Sequence, residues 1–262
     1  MAFIDVSFFS HCIQRNVSFS VFVPIGDKTT SSTFDGKFET LYLLHGLAGD
    51  HMDWLRYSKL AFYARGRNIA VVMPAAENKS YIDNPHTLEK FGEFIGKELV
   101  DFTRSLFPLS HKREDTAIGG FSMGAYGALR NSLKYNNTFG SAILLSGSLA
   151  AEFLSTYKFE DERPNRRRDF IEGVFGDLDA IPSSDADCSA LLAKIIKNGG
   201  KLPQIYMACG TDDDFLEQNR LYHKIFKENN VPHDYIEDSG GHDWIYWDKH
   251  IGKALDWLDS QR

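Results

Sequence analysis

The sequence predicts an α/β protein built on a mainly parallel central sheet, with helices on both faces and an antiparallel hairpin at its N-terminal edge. Three observations carry this. Strand-like and helix-like segments alternate along most of the chain, as a parallel sheet with crossover helices requires. Several strand segments, such as 38–44 and 69–73, are apolar almost throughout, the pattern of strands buried on both faces. Between a strand and a helix lies Gly120-Phe121-Ser122-Met123-Gly124, whose glycines give the clearance that a sharp turn needs. With 262 residues, 43% of them apolar, the chain can bury a full core, and neither repeats nor a linker divide it. The expectation is one domain over 1–262.

Each element follows from its local pattern. Residues 2–10 and 15–24 are rich in Phe, Val and Ile with partial alternation, so they read as two strands joined near Gln14 to Asn16. A Thr/Ser-rich loop from 27 to 37 contains the turn dipeptide Asp35-Gly36 and leads to the strand 38–44. Helical spacing over 51–65 ends at Gly66, and the strand 69–73 is closed by Pro74. After a polar loop with Tyr81 and Asn84, apolar residues at Leu88, Phe91, Ile95, Leu99, Phe102 and Leu106 predict one helix over 86–107, stopped by Pro108. A strand over 116–121, a helix over 122–135 and a strand over 140–145 come next. Residues 149–184 have little periodicity and sit between two core strands, the place for a lid or insertion. The remainder reads as helix 185–197, strand 204–209, helix 217–229, strand 234–237 and helix 247–258.

Composition narrows the classes. The net charge is −7 and the only basic run is Arg166-Arg167-Arg168, so the footprint of a nucleic-acid partner is missing. Solvation is the commoner role for such a run; contact with an anionic substrate is the sharper one. The N-terminus has an early acidic residue, no basic segment and no long apolar core, and no stretch reaches the length of a membrane span. Cys12, Cys188 and Cys209 are far apart with no C-x-x-C spacing, which suits neither a disulfide framework nor a zinc site. A cytoplasmic setting is expected.

The chemistry concentrates at strand ends. A serine hydroxyl is a weak nucleophile unless a base lies within hydrogen-bond reach and a third group orients that base. Ser122 sits at the sharp turn. The strand 205–209 ends in Gly210-Thr211-Asp212-Asp213-Asp214, and the last strand in Gly240-Gly241-His242-Asp243-Trp244, so an acid and an imidazole follow the serine in chain order. Among nine histidines, only His242 lies in a glycine-flanked loop after the last strand. The three consecutive aspartates are not separated by position, and any of them could be a solvated or helix-capping residue. His45-Gly46-Leu47-Ala48-Gly49 follows the strand 38–44 and supplies a second glycine turn; the N–H groups of Leu47 and Met123 are the candidate oxyanion donors, with His45 in a structural role.

Taken together, these stretches resemble the esterase D group of α/β-hydrolases, which includes carbohydrate esterase family 1, S-formylglutathione hydrolases and short-chain tributyrin esterases. The likeness runs from the N-terminal hairpin to the last helix, through Leu43 to Gly49 with Trp54 after it, Gly120 to Gly127, Cys209 to Asp213, and Gly241 to Trp244 with Trp247. It implies an α/β-hydrolase fold and a serine esterase working through an acyl-enzyme, with Ser122, Asp213 and His242 catalytic and no cofactor or metal. The group's G-x-x-D pattern selects Asp213, and its asparagine six positions later matches Asn219. Members often carry Phe directly after the acid; here Asp214 intervenes before Phe215 and stands as the runner-up.

The substrate implied is a short-chain acyl ester, foremost an acetyl or feruloyl ester of a plant-derived sugar. S-formylglutathione hydrolysis and acyl transfer to an alcohol are the alternatives. Trp54, Tyr81, Trp244 and Trp247 are candidates for a substrate wall, with Trp54 and Trp244 foremost, although core or rim packing is the commoner role of such residues. The partner expected is a small-molecule or oligosaccharide ester; the sequence leaves the oligomeric state open.

Overall fold

In the computed structural model the described residues are 2–25, 36–84, 86–156, 164 and 167–261. Eight strands form one sheet in the order β1-β2-β4-β3-β5-β6-β7-β8. The strands are β1 (Ala2–Ser10), β2 (Arg15–Val23), β3 (Glu39–Leu44), β4 (Ile69–Pro74), β5 (Thr116–Phe121), β6 (Ser141–Leu145), β7 (Gln204–Gly210) and β8 (His233–Asp238). Helices α1 (Asp53–Tyr57), α2 (Leu60–Ala64), α3 (Phe91–Glu93), α4 (Leu99–Leu106), α5 (Met123–Lys134), α6 (Arg168–Phe175), α7 (Cys188–Lys197), α8 (Leu216–Glu228) and α9 (Trp244–Ser260) surround it.

β1 pairs antiparallel with β2 and β2 antiparallel with β4, while every later pairing is parallel. The pattern has a simple cause. A four-residue turn can close β1 onto β2, whereas a parallel neighbour needs a crossover long enough to hold a helix. β1 alternates between half-buried and exposed positions as an edge strand does, and all residues of β4, β5 and β6 are buried. Two apolar layers flank the sheet. One holds Tyr42, Leu44 and Leu144 of the sheet with Leu129 of α5, and the other Leu41 and Leu43 of the sheet with Ile251 and Leu255 of α9.

Three helical expectations are corrected. The segment 51–65 is not one helix: α1 and α2 are separated at Ser58, whose backbone is extended at φ −131° and ψ 168°. The break is a tertiary event. Ser58 Oγ donates to the Trp54 carbonyl, and the N–H of Lys59 donates to Asp248 Oδ1 of α9 at 2.6 Å. Nor does a helix start at 86. The N–H of His86 is taken by Asn84 Oδ1 at 2.8 Å and that of Lys90 by the Cys12 carbonyl at 3.0 Å, which leaves Leu88 77% exposed instead of on an apolar face. Helix α3 then runs through one π turn (Phe94–Glu98) into α4. Third, α7 starts at Cys188 rather than 185, because Asp187 caps it by accepting from the N–H of Ala190 at 3.0 Å. The loop expected over 27–37 lies mostly outside the described residues, as do residues 157–163, 165 and 166 of the segment 149–184; what is described of the latter includes α6 and short 3-10 turns at Ala151–Thr156 and Leu178–Ala180.

One buried histidine fixes α9 against the sheet beside the last loop. His250 has a fully buried side chain, with Nε2 3.0 Å from Asp238 Oδ1 and Nδ1 3.1 Å from the Tyr206 hydroxyl. A carboxylate only accepts, so Nε2 carries the hydrogen and Nδ1 accepts from tyrosine, which is the neutral form. Burial lowers its pKa to about 4 despite Asp238. The unfolded chain therefore binds this proton first, and stability falls as pH drops from about 6.5 towards 4. In urea unfolding at pH 7.5 and pH 5, His250→Gln is expected to lose about 2 kcal/mol less than the native chain over that interval. Equal losses would show that this histidine does not govern acid sensitivity.

Candidate active site

The loops after β3, β5, β7 and β8 all leave the carboxyl ends of parallel strands of one sheet, where an open α/β sheet collects its ligands. Ser122 lies between β5 and α5 at φ 53° and ψ −120°, a conformation that L residues seldom adopt outside functional turns. The flanking glycines make this turn possible. A Cβ on Gly124 would lie 2.6 Å from the carbonyl oxygens of both Leu44 and His45, and one on Gly120 would lie 2.6 Å from the Gly124 backbone, so strand, turn and helix could not close with any larger residue.

The last strand's loop brings the imidazole to the serine. His242 Nε2 is 3.0 Å from Ser122 Oγ, and Nδ1 is 3.0 and 3.2 Å from the two oxygens of Asp213. Since the carboxylate accepts, Nδ1 carries the hydrogen and Nε2 faces the serine as an acceptor. The Asp213 side chain is fully buried. Burial raises its pKa, but the hydrogen bond from His242, the Phe215 N–H at 2.8 Å and the electrostatic influence of the neighbouring imidazole outweigh it and hold the carboxyl below its ordinary range. Asp214, the runner-up acid, is instead exposed on the cavity wall. Asn219 fixes the acid's surroundings: it accepts from the Gly147 N–H at 3.3 Å and donates to the Gly147 and Phe215 carbonyls at 2.9 and 2.8 Å.

The glycine turn after β3 is held from behind. His45 is buried, with Nδ1 donating to the Gly46 carbonyl at 2.7 Å and Nε2 accepting from the Ala76 N–H at 3.0 Å. Burial lowers its pKa, in keeping with a neutral structural ring. Asn78 Oδ1 accepts the Ala48 N–H at 2.7 Å, an anchor that nothing in the sequence pattern pointed to. The Leu47 and Met123 N–H groups meet no acceptor among the described residues, and both residues line the same cavity as Ser122 and His242.

That cavity has a volume of roughly 810 Å³. Its lining includes apolar residues of the segment after β6, Ala150, Leu154, Phe170, Ile171, Val174 and Phe175, together with Asp53, Tyr57, Asp243 and Trp244. Among the proposed wall aromatics, Trp244 and Trp247 line the cavity but Trp54 and Tyr81 do not. Trp54 is 1% exposed, donates from Nε1 to the Leu44 carbonyl at 3.1 Å and packs edge-on against Phe121 and Trp244. Tyr81 is buried and donates to the His45 carbonyl at 2.9 Å. Both are supports rather than walls. In the basic run, Arg167 pairs with Asp169 and Arg168 with Glu172, while Arg166 lies outside the described residues. No group of three or more His, Cys, Asp and Glu among the described residues could hold a metal ion.

A serine at a strained strand-to-helix turn, hydrogen-bonded to a histidine after the last strand of such a sheet, defines an α/β-hydrolase of the serine type. The chain belongs to the esterase family described as "Putative esterase", whose model matches residues 10–258, and it is a carboxylic ester hydrolase. It is 40% identical over 263 residues to an acetyl esterase of Caldicellulosiruptor saccharolyticus, covering 99% of each chain. Two solved Staphylococcus aureus structures are each 29% identical and covered 98% on both sides: fluorophosphonate-binding serine hydrolase F in a substrate-bound form, with a TM-score of 0.87, and an S-formylglutathione hydrolase apoenzyme, with a TM-score of 0.84.

Proposed function

We propose that the chain hydrolyses short-chain acyl esters by a two-step acyl-enzyme mechanism, with Ser122 as nucleophile, His242 as general base and acid, and Asp213 holding the imidazole. The observation that carries this is the unbroken hydrogen-bonded line from Asp213 through His242 to Ser122 at the floor of a cavity. Ser122 Oγ attacks the ester carbonyl as its proton passes to His242 Nε2. The oxyanion is met by the N–H groups of Leu47 and Met123, each worth about 3 kcal/mol in comparable sites. Collapse breaks the bond to the alcohol, which leaves with the proton from His242. Water then gives its proton to His242 and attacks the acyl-enzyme, releasing the acid and restoring Ser122.

Likeness to an acetyl esterase favours acetyl esters, and a neutral sugar alcohol suits the aromatic pair Tyr57 and Trp244 at the rim. The apolar wall of Phe170, Val174 and Phe175 favours a second reading, in which an aromatic acyl group such as feruloyl is accepted. S-formylglutathione hydrolysis and acyl transfer would use the same intermediate. The segment 149–184 is read as a cover over the site within one domain of 1–262. No helix among the described residues is long and apolar enough to cross a membrane. Cys12, Cys188 and Cys209 are free thiols, which suits a reducing, cytoplasmic setting, and the net charge of −7 argues against a nucleic-acid partner.

Steady-state hydrolysis of p-nitrophenyl esters from acetate to decanoate, with methyl ferulate alongside, tests the acyl preference. The expected result is kcat/KM highest at two to four carbons and at least about tenfold lower for decanoate. Rates that rise with chain length would remove the short-acyl reading, and turnover of methyl ferulate would establish the second.

A further inference from the structure

We propose that Asn84 is a positioning residue for acyl-chain selectivity: it locks α6, which supplies much of the cavity's apolar lining, so that this wall cannot yield to a long acyl chain. This rests on the esterase mechanism and the short-acyl preference proposed above. Asn84 is buried and lies on the loop between β4 and α3, far from α6 in the chain. Its side-chain amide is used on both ends. Nδ2 donates to the carbonyls of Gly173 and Val174, each at 3.0 Å, and Oδ1 accepts the His86 N–H at 2.8 Å.

α6 needs such a partner. It has eight residues with Gly173 in its interior, and a helix so short is not stable by itself, the less so with a glycine inside it. The last carbonyls of a helix also lack intrahelical donors. Here the Glu172 carbonyl is met by the Gly176 N–H at 2.8 Å, and the next two are met by Asn84. The loop that carries Asn84 is itself bound to α5: Asn131 Nδ2 donates to the Tyr81 carbonyl at 3.1 Å, and Lys134 Nζ lies 2.9 Å from Asp83 Oδ2. The tie therefore joins α6 to the helix that starts beside Ser122.

The tied end of α6 is also the end beside the nucleophile's helix. Phe170, Ile171, Val174 and Phe175 line the same cavity as Ser122 and His242. Val174 offers one of the two carbonyls that Asn84 holds, and the ring of Phe175, the next residue, has its centroid 5.9 Å from that of Tyr126, one turn along α5 from the serine. In an acyl ester of a sugar the apolar part is the acyl chain, so that is the part such side chains would meet. Branched and aromatic groups held at fixed positions exclude what does not fit between them, whereas a wall that shifts admits it. Asn84 does not line the cavity and acts through α6.

Asn84→Asp tests the tie, because a carboxylate keeps the size of the amide and the bond from His86 but turns an oxygen towards two carbonyl oxygens. The readout is kcat/KM for p-nitrophenyl acetate over that for the decanoate, with active sites counted by a fluorophosphonate; the ratio does not depend on the fraction of molecules that are active. The native chain is expected to favour acetate by at least about tenfold, and Asn84→Asp and Asn84→Ala by about threefold or less, through a rise in kcat/KM for decanoate. A role in stability alone would lower both rates together and leave the ratio where it was. Phe175→Ala, which opens the wall and leaves the tie, is expected to relax the preference in the same direction. Variants that keep the native ratio would overturn the inference while the short-acyl reading stood. An Asn84 variant that does not fold would overturn it as well, since the amide would then hold the whole fold rather than the wall. A native chain without a preference for acetate would remove the short-acyl reading and the inference with it.

Discussion

Ser122→Ala is expected to lower kcat for p-nitrophenyl acetate by about 10⁵-fold, close to 7 kcal/mol of transition-state stabilisation, with KM within about threefold of native. The substitution removes the attacking oxygen and leaves the rest of the site. Alanine can hold the same turn, because the strain at φ 53° is already borne by a residue with a Cβ and the clearance comes from Gly120 and Gly124. The melting temperature should therefore stay within a few degrees of native, so that a lost rate cannot be blamed on a lost fold. The residual activity would come from the oxyanion donors and from bound water. A variant that kept more than about a hundredth of the native rate would demote Ser122 to a turn residue, since no known serine mechanism survives the loss of its nucleophile so well.

Asp213→Asn tests the next link and is expected to lower kcat by about 10⁴-fold. The reason lies in proton placement rather than in shape. The native carboxylate takes two contacts from His242 Nδ1, at 3.0 and 3.2 Å, and accepts the Phe215 N–H at 2.8 Å. An asparagine whose oxygen keeps the Phe215 N–H must turn its NH₂ group to His242. The imidazole would then accept at Nδ1 and carry its hydrogen on Nε2, facing Ser122 with a donor where an acceptor is needed. The fold should survive, because the amide is isosteric and the loop's other ties through Asn219 remain. A fall of less than about tenfold would mean that another acid orients the base, and Asp214 would be the first to examine.

How much of this was legible in the chain follows from the range of the interactions concerned. The glycine-flanked serine, the glycine turn after β3 and the order of serine, acid and histidine could be read directly, because each depends on local backbone clearance or on which strand end a loop leaves. The inner strands β4, β5 and β6 held for a related reason: a strand buried on both faces must be largely apolar along its length. The helices over 51–65 and 86–107 were less legible. Their ends are set by Asp248 and Cys12, far away in the chain, and these partners cap or divert backbone that helical spacing alone would have continued.

The site divides in the same way. Residue types and order pointed to Ser122 and His242, but Asp213 and Asp214 are neighbours of one kind on one turn that only the resemblance's G-x-x-D pattern told apart; in the structure the imidazole approaches the buried carboxylate of Asp213 to 3.0 Å. Trp54 and Trp244 both looked like wall residues; the packing of Trp54 behind Phe121 leaves only Trp244 at the surface of the cavity. Asp53, Tyr57 and Asn78 gave no sequence signal, because their roles arise from loops that meet only when parallel strands set their ends side by side. The chain by itself determined the chemistry available, since that is a matter of residue type and local turn geometry. The tertiary structure decided which carboxylate meets the histidine and which aromatic residues line the cavity, since those are distances between groups that the sequence holds apart.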